Sequence, residues 1–277
     1  MTKFHLHLVS DATGDTLLSL ASAALAQFEG VESERHIWPM IRSEIYMAPV
    51  ITAIEKNPGL VMFTLVDQNL RSILWDECRR LQVPCVPVLD PIMGALENFL
   101  GAESRELPGR QHIMDADYFE RIDAIHYSLN HDDGQEVDEY ERADVVLIGI
   151  SRTSKTPTCM YLANRGLKAA NIPMVPGIAL PEVILNMKDV LVVGLTASPN
   201  RLVQIRRNRL QNINQDENTD YVDIRAVKDE VIAARRLFDC KGWPQIDVTR
   251  RSIEETAAAI ISLHTQRMEE RSEKHAK

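Results

Sequence analysis

Short apolar runs alternate with longer amphipathic ones in two separate blocks of this chain, and that alternation restricts the fold more than any other feature. In the first block, residues 4–10, 35–39, 60–66 and 84–89 read as strands. Residues 16–27, 45–56, 70–81 and 91–100 read as the helices that follow them. Strands separated by whole helices cannot pair as tight hairpins, so the pattern predicts βαβ units and a parallel sheet. Between 101 and 142 the alternation breaks at Pro108-Gly109, a polar stretch, a helix-like run over 118–129 and an acidic segment from His131 to Glu141. It resumes with strands at 144–150, 173–175, 190–195 and 246–248. Helices are predicted at 156–170, 200–210 and 227–242, with a last one from Ile253. The predicted architecture is α/β: an N-terminal open parallel α/β domain over 1–105, a connecting segment over 106–142, and a P-loop kinase-like α/β domain over 143–277. The charged tail, 267–277, has little to bury and is expected to fray.

The second block opens on Asp144-Val-Val-Leu-Ile-Gly-Ile-Ser-Arg-Thr-Ser-Lys-Thr156. An apolar strand, Gly149, four residues, then Ser154, Lys155 and Thr156 form a phosphate-binding loop with one letter changed. In G-x-x-x-x-G-K-[ST], backbone N–H groups surround the phosphates, lysine reaches a phosphate oxygen and the hydroxyl holds Mg²⁺. Gly149, Ile150, Ser151, Arg152, Thr153, Ser154, Lys155 and Thr156 are therefore the candidate nucleotide-binding residues. Ser154 stands where the second glycine belongs, a position that often requires a positive φ. Pro157 fits the first turn of the helix that follows.

Composition narrows the function classes. A formal net charge of −9 repels nucleic acid over most of the surface. No apolar run is long enough to span a bilayer, and Met-Thr-Lys-Phe-His-Leu-His lacks the core of a signal peptide, so a cytoplasmic protein is expected. Cys78, Cys85, Cys159 and Cys240 contain no C-x-x-C and are read as reduced thiols.

Five further groups carry potential chemistry, most beside a plain structural role. Ser10-Asp-Ala-Thr-Gly-Asp-Thr16 follows a strand and opens a helix; Asp11 and Thr13 either meet a phosphate or cap the helix. His131-Asp132-Asp133-Gly134 offers an imidazole and two carboxylates for Mg²⁺ binding or for proton transfer from a hydroxyl, or is a polar turn. The strand over 190–195 ends in Gly194-Leu195-Thr196 without a carboxylate, which favours Asp132 or Asp133 beside the metal. Arg201, Arg206, Arg207 and Arg209 lie on one helix, with Arg206 and Arg209 read as sharing a face, either toward phosphate or toward solvent. In Thr249-Arg250-Arg251-Ser252, Arg250 is a further candidate phosphate contact, while Ser252 and Glu255 make a capping box. His5 and His7 share one face of a strand, without an evident third metal ligand.

These stretches, together with 161–166, 175–177 and 247–257, resemble the pyruvate, phosphate dikinase regulatory proteins and their phosphoenolpyruvate synthase regulatory siblings over nearly the whole chain. Serine before the lysine looks like the dikinase branch. The resemblance implies a bifunctional enzyme. One activity transfers the β-phosphoryl of ADP to an active-site threonine of the dikinase, releasing AMP and inactivating the target. The other uses inorganic phosphate to remove that group, releasing pyrophosphate. With it come the expected residue roles: Lys155, Asp132, Asp133 and His131 in catalysis, and Thr156 with Asp132 at Mg²⁺. A homodimer rests on the resemblance alone. The rivals are the same chemistry on the synthase, a P-loop small-molecule kinase, and a nucleotide sensor without chemistry. A complete first α/β half with its own hydroxyl-rich loop favours a protein substrate over a small one.

Overall fold

The computed structural model describes residues 2–103, 116–212 and 219–275. The chain divides into two compact units, 1–113 and 114–277. In the first, β1 (Thr2–Ser10), β2 (Val31–Trp38), β3 (Gly59–Thr64) and β4 (Cys85–Pro87) form a wholly parallel sheet of order β2-β1-β3-β4. The crossovers are α1 (Asp15–Leu25), α2 (Glu44–Lys56) and α3 (Gln68–Arg80), and α4 (Asp90–Leu100) follows β4. In α2 and α3, Met47, Val50, Ile54, Leu70 and Leu74 are buried with Val61 and Phe63, while Leu17 and Ala21 of α1 are buried with Leu6 and Leu8. Successive strand residues point to opposite faces, so each face of the sheet needs its own helical cover.

The second unit begins with α5 (Ala116–Asn130) and a 3₁₀ turn at Val137–Arg142. There follow β5 (Val145–Ile150), α6 (Lys155–Ala163), β6 (Ala169–Met174), the short α7 (Glu182–Leu185), β7 (Leu191–Thr196) and α8 (Pro199–Asn212). A 3₁₀ turn at Asp220–Val222, α9 (Ile224–Lys241), β8 (Gln245–Asp247) and α10 (Ile253–His275) complete it. Its sheet is again parallel, in the order β6-β5-β7-β8. Every residue of β5 and β7 is buried, which explains why both read as unbroken apolar runs rather than alternating ones. In each sheet the first strand lies between the second and third, so the connections leaving the first and third strands run to opposite sides at their carboxyl ends. Ligands of open α/β sheets bind at such points, and the loops after β1 and β5 are the two that the sequence marks.

Four features depart from the sequence expectations. The helix over 156–170 ends at Ala163, because Gly166 takes a left-handed φ of 84° and closes the turn with its N–H on the Ala163 carbonyl. The strand expected at 173–175 consequently starts at Ala169 and gains Asn171. The segment expected to connect two domains contains α5, which packs on the second unit: Ser128 Oγ donates to the Ala169 carbonyl at 2.6 Å and accepts from its N–H at 3.2 Å. The tail expected to fray continues as helix to His275, with Arg267 donating to the Lys188 carbonyl and Arg271 paired with Asp189. Among the described residues no helix is long and apolar enough to cross a membrane.

Candidate active site

The phosphate loop is set by a glycine with no room for a side chain. A Cβ on Gly149 would lie 2.6 Å from the Leu195 carbonyl oxygen of the neighbouring strand and 2.8 Å from Thr153 Oγ1. Thr153 is fully buried and donates back to the Ile150 carbonyl at 2.9 Å, closing the loop on itself. Arg152 and Ser154 take φ values of 71° and 59°. Left-handed residues at alternate positions turn successive N–H groups to one side, the arrangement of an anion-binding nest. The second glycine position thus does require a positive φ, and serine adopts it at a cost of about 1 kcal/mol. Its side chain makes no capping hydrogen bond to α6. Ser154→Gly is therefore expected to raise stability by about 0.5–1 kcal/mol in urea denaturation without lowering activity. A loss of stability would show that the hydroxyl holds the loop.

Lys155, the first residue of α6, is buried, and its Nζ donates to the carbonyls of Gly149 at 3.0 Å and Ile150 at 3.3 Å. Burial lowers its pKa from 10.5 to about 8, with the charges of Asp133 and Asp132 opposing that shift. A buried ammonium held by carbonyl dipoles is short of negative charge, and a phosphate oxygen would supply it.

One hydrogen bond joins the two motifs. Thr156 Oγ1 donates to Asp132 Oδ1 at 2.8 Å, bridging the loop and the turn that follows α5. The same carboxylate oxygen accepts from Asn171 Nδ2, and Asn171 Oδ1 accepts the Asp133 N–H at 3.3 Å. Asn171 is fully buried on β6, and its backbone meets the turn through Asn171 N–H to the His131 carbonyl at 3.2 Å and Gly134 N–H to the Asn171 carbonyl at 2.9 Å. This residue fixes the carboxylates and is not legible in the sequence, because the helix predicted over 156–170 ends directly before it. A lone Asn within Ala-Ala-Asn-Ile was the available signal. The vacant carboxylate position at the end of β7 is matched by Asp132 reaching the loop from the turn after α5. A threonine hydroxyl beside a carboxylate is a hard oxygen pair that fits Mg²⁺. Asp133, at φ 49°, is exposed at the same turn.

His131 is drawn elsewhere. Its ring stacks on Tyr127 with centroids 3.8 Å apart, and Nδ1 lies 2.7 Å from the Tyr127 carbonyl. Nε2 faces Glu136 and Glu139 rather than the loop.

The arginines separate. Arg206 is buried and forms a two-pronged pair with Glu230 at 2.7 and 3.1 Å. It also donates to the carbonyls of Tyr221 at 3.0 Å and Ser151 at 3.4 Å, with its guanidinium 4.5 Å from the Tyr221 ring centroid. Arg209, one turn on, is exposed, so the two do not share a face. The reason is angular: three residues advance about 300° around a helix, and the 60° shortfall carries Arg209 past the edge of the packed surface. Arg206 therefore braces the loop from behind, with Tyr221 Oη 3.0 Å from Ser151 Oγ. Arg250 is exposed, and the predicted capping box forms, Ser252 N–H to Glu255 Oε2 at 2.8 Å and Glu255 N–H to Ser252 Oγ at 3.1 Å.

In the first unit, Asp11 is a brace of similar kind. It is buried, its Oδ2 accepts the Val66 N–H at 2.8 Å, and burial raises its pKa. Thr13 is exposed and donates to Asp15 at 2.8 Å, while Gly14, not an acidic or hydroxyl residue, occupies the N-cap of α1. Both nitrogens of His7 have partners, Asn57 O at 2.9 Å and Trp38 Nε1 at 3.3 Å, so His5 and His7 do not form a ligand pair.

Beside the loop lies a cavity of about 700 Å³ whose lining includes Ile150, Met174, Ile178, Tyr221, Asp229 and Glu230. Parallel sheet, phosphate loop, buried lysine and hydroxyl–carboxylate pair together define a phosphate-handling α/β protein with a kinase-like loop. The chain belongs to the kinase/pyrophosphorylase family, whose pattern matches residues 6–261. It is 54% identical over 271 residues to a protein of Paramagnetospirillum magneticum provisionally named a pyruvate, phosphate dikinase regulatory protein, covering 98% of this chain and 87% of that one. Proteins with the same provisional name in Sphingopyxis alaskensis and Erythrobacter litoralis are 53% and 54% identical. Those matches cover 95% and 96% of this chain and 97% and 96% of theirs.

Proposed function

We propose that this protein regulates pyruvate, phosphate dikinase by two opposed phosphoryl transfers at the loop over 149–156. The observation that carries this reading is the Thr156–Asp132 hydrogen bond, which puts a phosphate cradle and a carboxylate turn in one site. In the kinase direction a target threonine oxygen attacks the β-phosphorus of ADP, the bond to the oxygen bridging the α-phosphate breaks, and AMP leaves. The hydroxyl proton passes to Asp133, since Asp132 Oδ1 already accepts from Thr156 and Asn171. In the other direction a phosphate oxygen attacks the threonyl phosphorus, the threonine oxygen takes the proton back, and pyrophosphate leaves. Lys155 balances charge on the transferring group in both, and Thr156 with Asp132 would hold Mg²⁺, which supplies further charge neutralisation. His131 positions the turn. The nucleoside occupies the cavity next to Ile150, where Asp229 is suited to ribose hydroxyls and the Tyr221 ring to a base; a volume of this order suits such a ligand. Asp11, Thr13, Arg209 and Arg250 remain candidates for contacts with the target.

The test is incubation with ADP and with ATP, each with dikinase phosphorylated on its catalytic histidine, reading AMP release and threonine phosphorylation. AMP and phosphothreonine with ADP are the expected result. Phosphorylation of small acceptors without dikinase would support the small-molecule kinase instead. Asp132→Ala and Asp133→Ala are each expected to lower turnover by about a hundredfold or more. Wild-type turnover in both would remove the base and metal assignments.

A further inference from the structure

The same turn that carries Asp132 and Asp133 has a second chemistry on its buried side. His131 Nδ1 lies 2.7 Å from the Tyr127 carbonyl oxygen. A carbonyl only accepts, so Nδ1 carries a proton and donates it. The side chain is 3% exposed, and its Nε2 is buried without a hydrogen-bond partner among the described residues. That atom faces Glu136 Oε2 at 3.8 Å and Glu139 Oε2 at 4.0 Å, and the three atoms lie within 4.8 Å of one another. Stacking on Tyr127 and a tilted contact with Tyr140 at 5.7 Å keep the ring from turning away.

We propose that His131, Glu136 and Glu139 bind a first-row divalent cation at a site separate from the Thr156–Asp132 pair. With Nε2 unprotonated, its lone pair and the two carboxylates are of like electrostatic sign, and a cation between them reverses that. One imidazole and two carboxylates suit Mn²⁺ or Zn²⁺ better than Mg²⁺, which favours oxygen ligands and its own water. A metal-binding histidine commonly donates its other N–H to a backbone carbonyl, which fixes the tautomer and the ring orientation; Tyr127 does so for His131. Ligands about 2.1 Å from a tetrahedral ion stand about 3.4 Å apart, so each carboxylate needs to close by about half an ångström. Both glutamates are about half exposed and free to move that far. Arg142 donates to the same Glu139 oxygen at 2.9 Å and can remain there, since a carboxylate oxygen has two lone pairs. The bound ion would tie the 3₁₀ turn over 137–142 to the end of α5, and with it the backbone that presents Asp132 to the loop.

The experiment needs neither nucleotide nor dikinase, so its outcome is independent of the proposed transfer reactions. Full-length protein is stripped with a chelator, exchanged into metal-free buffer and titrated with MnCl₂, following free Mn²⁺ by electron paramagnetic resonance. A parallel titration with ZnCl₂ uses a competing dye. One ion is expected at this site, with paramagnetic broadening of the His131 ring protons by Mn²⁺ in NMR spectra, besides any Mn²⁺ that the Thr156–Asp132 pair binds. The double variant Glu136→Gln/Glu139→Gln should lose well over the roughly tenfold affinity that removal of an outer partner costs, with an unchanged circular dichroism spectrum. Thr156→Val should retain the site. His131 is buried and its replacement can disturb the turn, so the exposed glutamates carry the test. Binding of neither ion below millimolar concentration, equal affinity in the double variant, or loss of the ion in Thr156→Val would overturn the proposal.

Discussion

Lys155→Met is expected to lower turnover in both directions by about a thousandfold or more, the scale on which loss of a pre-placed charge-stabilising group is felt. The reason is that in the proposed transfers one ammonium serves both directions. It lies across the loop on the Gly149 and Ile150 carbonyls, where the proposed reactions would bring the transferring group. Methionine fills the same volume without charge. The variant should be at least as stable as the parent, because burying the ammonium is itself unfavourable. The sign follows from its pKa of about 8 in the folded chain against 10.5 for an ordinary lysine. Between those values the unfolded chain holds the proton and the folded one does not, so stability rises with pH across that window. A bound phosphate favours the ammonium, so affinity for phosphate or ADP should fall above about pH 8, by up to about tenfold per unit. Calorimetric titration of phosphate at a series of pH values measures this, and the slope should vanish in Lys155→Met. A methionine variant with a tenth or more of normal turnover in either direction would sink the single-cradle reading.

Arg206→Leu should destabilise the protein by about 3–5 kcal/mol, the cost of breaking a buried ion pair from one side. Glu230 would be left as a carboxylate in a site only 12% exposed, and the carbonyls of Ser151 and Tyr221 would lose their donor. Urea denaturation reads the loss directly. Arg206→Leu/Glu230→Leu should recover most of that stability, since a well-packed apolar pair can replace a buried ionic one. It should not recover nucleotide affinity, because the Ser151 carbonyl and Tyr221 remain unbraced beside the loop. Arg209→Ala, at an exposed position, should change stability by less than about 0.5 kcal/mol. If Arg206→Leu stayed within 1 kcal/mol of the parent but lost phosphate affinity, the guanidinium would be a phosphate ligand rather than a brace.

These two residues mark how far the sequence could be read. Lys155 was legible because its role follows from local spacing: a strand, a glycine and four residues deliver the ammonium to the loop whatever surrounds it. Arg206 was misplaced because a basic residue on a helix looks the same whether it meets phosphate, solvent or a buried carboxylate; Glu230, 24 positions away, decides. Gly166 is a readable helix stop within Ala-Asn-Arg-Gly-Leu-Lys-Ala-Ala, and the strand that carries Asn171 begins just after it.

The amino-acid order alone determined two parallel α/β sheets, a phosphate loop at 149–156 and a carboxylate turn at 131–134, because strand and helix periods, a glycine at a crowded crossing and turn residues all act within a few positions. Tertiary structure alone decided that Thr156 meets Asp132, that Asn171 locks the turn, that Arg206 and Asp11 are braces, and that His131 faces Glu136 and Glu139. Those pairings depend on which strand lies beside which, and in a parallel sheet the neighbours of β5 come from far along the chain.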